Sequence, residues 1–165
     1  MKKNRVNNDL ITNFYDKVAT GELSKVFLMT FPIAVIHKTI FSHSESFLKE
    51  KFDLLNSEAD VLASLFTHGK ILSPTQLYDL TIFSSGGMTK VLKRLQDREL
   101  ICRKEDATDK RCMLVCLTKS GEDLIIKALH ETSKECSKYF EAFTQEESEI
   151  FSTLLKKILL NINRV

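Results

Sequence analysis

The sequence predicts a mainly α-helical chain carrying a small two- or three-stranded β-ribbon, and three observations support that expectation. Apolar residues recur at helical spacing along most of the chain. The period falls from 3.6 to 2 only between residues 101 and 117. Breakers are scarce, with two Pro and five Gly in 165 residues, and no low-complexity linker or internal repeat intervenes. The whole of 1–165 is therefore expected to form one domain.

Residues 9–19 form a short, weakly periodic helical segment. Pro32 suits the first position of a longer apolar helix, Ile33 to about Lys51, where its missing N–H costs nothing. Asn56 or Ser57 is expected to cap the next helix, whose Val61, Leu62, Leu65 and Phe66 follow helical spacing. Ser73-Pro74-Thr75-Gln76 joins a Ser cap to a helix-starting Pro and a Gln three residues on. That helix must be short, because Phe83-Ser84-Ser85-Gly86-Gly87 interrupts it. A second helix runs from near Gly86 to Arg98. Met88, Val91, Leu92 and Leu95 form its apolar face, Lys90, Lys93 and Asp97 lie opposite, and Arg94 sits at the flank.

Ile101–Lys104 and Cys112–Leu117 read as strands around a charged loop, Glu105 to Arg111. Thr118 caps a long helix whose apolar positions include Leu124, Ile125, Ala128, Leu129, Tyr139 and Phe140. Thr144-x-x-Glu147 is a capping box that opens the last helix. There Ile150, Phe151, Leu154, Leu155, Ile158, Leu159 and Ile162 recur at steps of one and three. The stripe covers about half the helix surface, too broad for a helix packed on one side, and implies dimerisation.

Apolar residues at 43% and charged residues at 28% exclude disorder and fibre. A net charge of +2 cannot identify a nucleic-acid binder, but its distribution is informative. Residues 84–111 hold eight Lys/Arg against five acids, whereas 131–149 hold six Glu against two Lys. This asymmetry fits a chain that shows one surface to phosphate. The most apolar stretch, Phe27 to Ile36, is well short of the roughly 20 residues of a membrane span. Met1-Lys2-Lys3-Asn4-Arg5 leads into no apolar core, so no signal peptide is read. A cytoplasmic protein without membrane contact is expected, its four cysteines reduced.

Short helix, tight turn, second amphipathic helix, then ribbon is the order of a winged helix-turn-helix. Ser84, Ser85, Gly86 and Gly87 leave the second helix's N-terminus open to phosphate. Thr89, Lys90, Lys93 and Arg94 would face the major groove, which is wide enough to admit a helix. Lys110 and Arg111 lie at a loop tip that could reach the adjoining minor groove, where negative potential concentrates. On composition alone these cations would be a solvated face; the ribbon directly downstream turns the reading to DNA contact.

At Leu72 to Ile125 the chain resembles the MarR/SlyA family. The matching stretches are Ser84-Ser-Gly-Gly-Met-Thr-Lys-Val-Leu-Lys-Arg-Leu95 and the wing and exit, with Asp109, Arg111, Val115, Leu117, Thr118 and Gly121 in the family's pattern. The resemblance implies a winged helix-turn-helix core at about 57–120 and dimerisation helices at about 9–50 and 121–165. It further implies that Ser84, Ser85, Gly87, Thr89, Lys90, Lys93, Arg94, Lys110 and Arg111 contact DNA. Arg111 would enter the minor groove and Asp109 would support the wing. A homodimeric regulator, most often a repressor, on a pseudo-palindromic double-stranded operator follows, with half-sites about 34–36 Å apart. A small aromatic effector would fit between the dimerisation helices and the DNA-binding lobe. One departure stands out: Glu99 occupies the position after the recognition helix where Gly is usual.

Competing readings are weaker. Cys112 and Cys116 are about 13 Å apart along one strand, beyond disulfide reach. Cys102 could lie opposite either of them, and Cys136 reads as a helix filler, so redox sensing is disfavoured. His37 and His43 do not share a helix face, His68 and His130 are scattered, and no metal or cofactor site emerges. No phosphate loop, nucleophile elbow or His-Glu-x-x-His motif points to an enzyme. Phe27, Phe31, Phe41 and Phe47 are read as core and dimer packing rather than an effector pocket. The remaining alternative is a winged-helix module for protein association.

Overall fold

The computed structural model describes residues 7–21, 23–81, 87–107 and 112–162. Its elements run α1 (Asn8–Ala19), α2 (Phe27–Phe52), α3 (Asn56–Thr67), β1 (Ile71–Leu72), α4 (Pro74–Leu80), α5 (Met88–Asp97), β2 (Ile101–Glu105), β3 (Met113–Leu117), α6 (Lys119–Ser137) and α7 (Gln145–Ile162). Contacts divide the chain into two units, residues 1–129 and 130–165. None of the described helices is long and apolar enough to cross a membrane.

In the first unit the core forms where α3, α4 and α5 close on the sheet. Leu54, Val61, Leu62, Leu65, Leu77, Leu92, Leu95, Ile101, Val115 and Ile125 are buried there. The sheet is antiparallel in the order β1-β3-β2. β1 is only two residues long, too short to leave a period-2 signal. It is tied in where the Leu117 N–H donates to the Lys70 carbonyl at 2.8 Å.

Two helix starts differ from the sequence reading. α2 begins at Phe27, not Ile33, so Pro32 lies inside the helix and leaves one carbonyl of the preceding turn without its partner. The extra turn is held by the Phe31 ring stacked on Phe14 of α1, centroids 4.2 Å apart. α3 is preceded by Leu55 rather than capped by Asn56 or Ser57. There the Glu58 carboxylate reaches back to the Leu55 N–H at 2.8 Å, and the Asn56 amide donates to the Phe41 carbonyl. Of the four phenylalanines expected to pack, Phe47 lies against the core while Phe27 is largely exposed.

The other starts follow the sequence. Ser73 and Gln76 form their reciprocal pair at 3.1 and 2.8 Å, as do Thr144 and Glu147 at 3.2 and 2.8 Å. Thr118 accepts from the Gly121 N–H at 3.0 Å and opens α6. α6 stops at Ser137, so Tyr139 and Phe140 stand in the turn beyond it rather than on its face. In the second unit Phe143 meets Phe140 and Phe151 edge-on around the α7 start, with Phe140 and Phe151 tilted to each other, and no described residue of α7 is buried.

Candidate nucleic-acid interface

α5 is anchored by one face. Met88, Leu92 and Leu95 are buried, each contributing about 1.5–3 kcal/mol by leaving water. On a helix this directs Thr89, Lys90, Lys93, Gln96 and Asp97 outward, and all five are exposed. Gly87 precedes the helix, and among the described residues nothing lies within 4 Å of the place a Cβ would occupy. Thr89, Lys90 and Lys93 thus share one open face of a rigidly held helix, next to its N-terminus.

Arg94, expected to contact DNA, has partners within the protein. It turns inward, its Nε 3.0 Å from Glu58 Oε1 and its Nη2 3.3 Å from both the Asp53 carbonyl and the Asp53 carboxylate. The Glu58 contact is an ion pair without hydrogen-bond alignment. Glu58 is fully buried, so its charge requires a cation, and the flank position of Arg94 brings one within reach. Arg98 joins in: its guanidinium donates to the Asp53 and Phe52 carbonyls at 2.7 and 3.3 Å, satisfying groups that the end of α2 leaves unpaired. Asp53 itself has left-handed φ (50°) and pairs with Lys49. That bond, with the charges of Lys49, Arg94 and Arg98, holds its carboxyl below the ordinary aspartate range despite an opposing desolvation. Sequence reasoning missed this clamp; the only local trace was Glu58 at the third position of a helix with no polar cap.

The turn after α5 resolves the oddity at Glu99. Glu99 has φ 56°, and the Leu100 N–H donates to the Leu95 carbonyl at 3.0 Å, so the helix closes in a left-handed turn even without glycine. Gly121 sits directly above. A Cβ there would meet the Leu100 carbonyl oxygen at 2.1 Å. The same oxygen accepts from the Thr118 N–H and hydroxyl at 3.2 and 2.9 Å. The matched Thr118 and Gly121 therefore mark the junction where α6 leaves the α5–β2 turn.

β2 and β3 form the wing, pairing Cys102 with Cys116 and Glu105 with Met113. The strands present Lys104 outward, a cation not among those singled out from the sequence. Ser84, Ser85, Asp109, Lys110 and Arg111 lie outside the described residues. On α7, Ile150, Leu154, Leu155, Ile158, Leu159 and Ile162 are exposed, Leu159 to 64%, and Phe151 is half-buried.

A profile of the MarR family matches residues 52–111. An uncharacterised HTH-type transcriptional regulator of Bacillus cereus is 32% identical over 116 residues, 70% of this chain and 76% of that protein. The HTH-type transcriptional regulator MhqR of Bacillus subtilis is 28% identical over 126 residues, 76% and 85% of the two chains. Among solved structures, the organohalide-sensing regulator RdhR in its 2,4-dichlorophenol-bound form superposes with a TM-score of 0.69 at 20% identity, covering 82% of this chain and 80% of that one. Staphylococcus aureus MepR in its DNA complex gives 0.67 at 23% identity, covering 81% and 97%. At these identities the two structures establish the fold.

Proposed function

The chain belongs to the MarR family of transcriptional regulators, and from that premise we propose that it is a homodimeric repressor that binds a pseudo-palindromic operator through α5 and the wing. The observation that carries this reading is the open face of α5, where Thr89, Lys90 and Lys93 project from a helix whose opposite side is locked into the core. Ser84, Ser85 and Gly87 would approach phosphate, and Lys110 and Arg111, supported by Asp109, would enter the minor groove. The apolar face of α7 supports dimerisation, because single chains rarely leave such a stripe uncovered.

A small aromatic molecule is proposed as the releasing effector. Support comes from the phenol held by a regulator of the same fold and from the aromatic contact of Phe14 with Phe31 where α1 meets α2. Binding would favour one spacing of the two recognition helices over another.

Fluorescence anisotropy of the reduced protein on duplex DNA from upstream of its own gene, with scrambled duplex as competitor, tests the proposal. Binding should survive the competitor and weaken steeply with salt. Arg111→Ala should cost about 1–3 kcal/mol without dissociating the dimer. Adding 2,4-dichlorophenol tests the effector in the same cuvette. Affinity equal on scrambled DNA would overturn the specific-regulator reading and favour a module for protein association.

A further inference from the structure

Within the wing, the register sets two thiols directly opposite each other. Cys102 on β2 pairs with Cys116 on β3, and Cys112 is four residues away along the strand. Flanking hydrogen bonds fix the kind of pair. Asp106 donates to the Cys112 carbonyl and Thr118 to the Leu100 carbonyl. Antiparallel ladders alternate, so positions 100–118, 102–116, 104–114 and 106–112 are hydrogen-bonded pairs, with Cα atoms about 5.5 Å apart. That separation lies inside the disulfide range of about 4.4–6.8 Å. The Cβ atoms of facing residues stand about 4.5–5.5 Å apart, whereas a disulfide draws them to about 3.5–4.5 Å. A bond can therefore form, but only by closing the strands by about 1 Å, which makes it strained and easily reduced rather than structural.

We propose that Cys102 and Cys116 are an oxidation site, forming a reversible disulfide across the wing when a hydroperoxide is present. The consequence for DNA rests on the operator-binding reading above; the bond itself does not.

The two environments divide the labour. Cys102 is exposed and can meet the oxidant, while Cys116 is buried beneath it. Burial, then the neighbouring Cys102 and a hydrogen bond between the two side chains, pushes the Cys116 thiol up, so it waits protonated. In the first step the Cys102 thiolate attacks a peroxide oxygen. The O–O bond breaks, hydroxide or alkoxide leaves and takes up a proton, and sulfur becomes a sulfenic acid. In the second, Cys116 gives up its proton and attacks the Cys102 sulfur; the S–O bond breaks and water departs. Two thiols and one hydroperoxide yield a disulfide, water and an alcohol (or a second water). The shift of about 1 Å falls near the wing base, and β2 extends from Cys102 to Glu105, about 10 Å beyond it. A shift of that size suffices to disturb a binding geometry that must hold to about half an ångström.

The test treats the full-length protein with hydrogen peroxide, blocks remaining thiols with N-ethylmaleimide, and maps peptides without reductant. A Cys102–Cys116 peptide pair lighter by two hydrogen atoms is expected. It should persist in Cys112→Ser and Cys136→Ser and vanish in Cys102→Ser, a substitution at an exposed position. Operator affinity should fall about tenfold or more on oxidation and return with dithiothreitol, whereas Cys102→Ser should bind at the reduced wild-type level throughout. Cys102 carried to a sulfinic acid with Cys116 still blockable, or Cys102 linked between chains, overturns the site. An unchanged affinity in protein that carries the bond overturns the switch. Failure of the reduced protein to prefer its operator would instead sink the operator reading, while the peptide map still decides the disulfide.

Discussion

Gly121→Ala is expected to destabilise the protein although it replaces glycine inside a helix. In an unobstructed helix interior the change would stabilise by about 1 kcal/mol. Here the new Cβ would sit 2.1 Å from the Leu100 carbonyl oxygen, against backbone that cannot rotate away. Ordinary contact requires more than 3 Å, so α6 and the α5–β2 turn must part by about 1 Å. The same separation disrupts the Thr118 N–H and hydroxyl bonds to that oxygen, now 3.2 and 2.9 Å. Overpacking costs about 1–3 kcal/mol, and the impaired hydrogen bonds about 1–3 more. Less the propensity gain, the net loss is about 3 kcal/mol. For a chain of this length that lowers Tm by about 6–12 °C. Scanning calorimetry at fixed protein concentration reads it, concentration being held because dimerisation would otherwise contribute. A Tm equal to or above wild type would refute the reasoning, since it would mean that the close approach at Leu100 is not present in solution.

Three further outcomes are expected. Glu99→Gly should raise the urea midpoint by the equivalent of about 0.5–1 kcal/mol, because it relieves a left-handed residue at φ 56°; a lowered midpoint would show that the side chain holds the turn. Lys90→Ala and Lys93→Ala should each reduce the slope of log affinity against log salt by about one while leaving the melting curve in place, and an unchanged slope would remove that side chain from the interface. Asp53 titrates below its ordinary 3.8, so its pairing stabilises the fold fully above about pH 4 and is lost as pH falls through the lowered value. Asp53→Asn, which tolerates the left-handed backbone, should therefore flatten the acid limb of unfolding free energy below about pH 4; a limb as steep as wild type would place the acid sensitivity elsewhere.

What the sequence revealed was what is encoded locally. Ser73 with Gln76 and Thr144 with Glu147 announce their helices because cap and partner are three residues apart. Met88, Leu92 and Leu95 announce a buried face because one turn separates them. One expectation failed where a distant contact outweighed a local rule. Pro32 looked like a helix start until Phe14 supplied a stacking partner for Phe31 and extended the helix backwards. The pairing of Arg94 was equally illegible, because Glu58 stands 36 residues earlier in the chain and only the fold brings it alongside. β1 was invisible because two residues define no period. The cysteine register is a similar case: the strands were legible, but only the ladder decides that Cys102 faces Cys116 and not Cys112.

The inward turn of Arg94 and Arg98 bears on how such a protein would read DNA. An outward arginine can grip guanine with two hydrogen bonds; a lysine is a mobile point charge. With Arg94 of α5 and Arg98 just after it turned into the clamp, the described outward cations of that helix are Lys90 and Lys93, which favour phosphate over base edges. Discrimination by α5 then falls to short polar side chains such as Thr89, whose reach is small, and so to the exact seat of the helix in the groove. That seat is governed by the clamp itself, since Arg94 and Arg98 fasten α5 to Phe52 and Asp53 at the end of α2. Three carbonyl hydrogen bonds thereby tie α5 to the end of α2, and Arg94 adds an ion pair to Glu58 of α3. Arg94→Ala would consequently mix two effects, removing a cation near DNA and stranding the buried Glu58 charge, which is why the lysines are the cleaner probes of the interface.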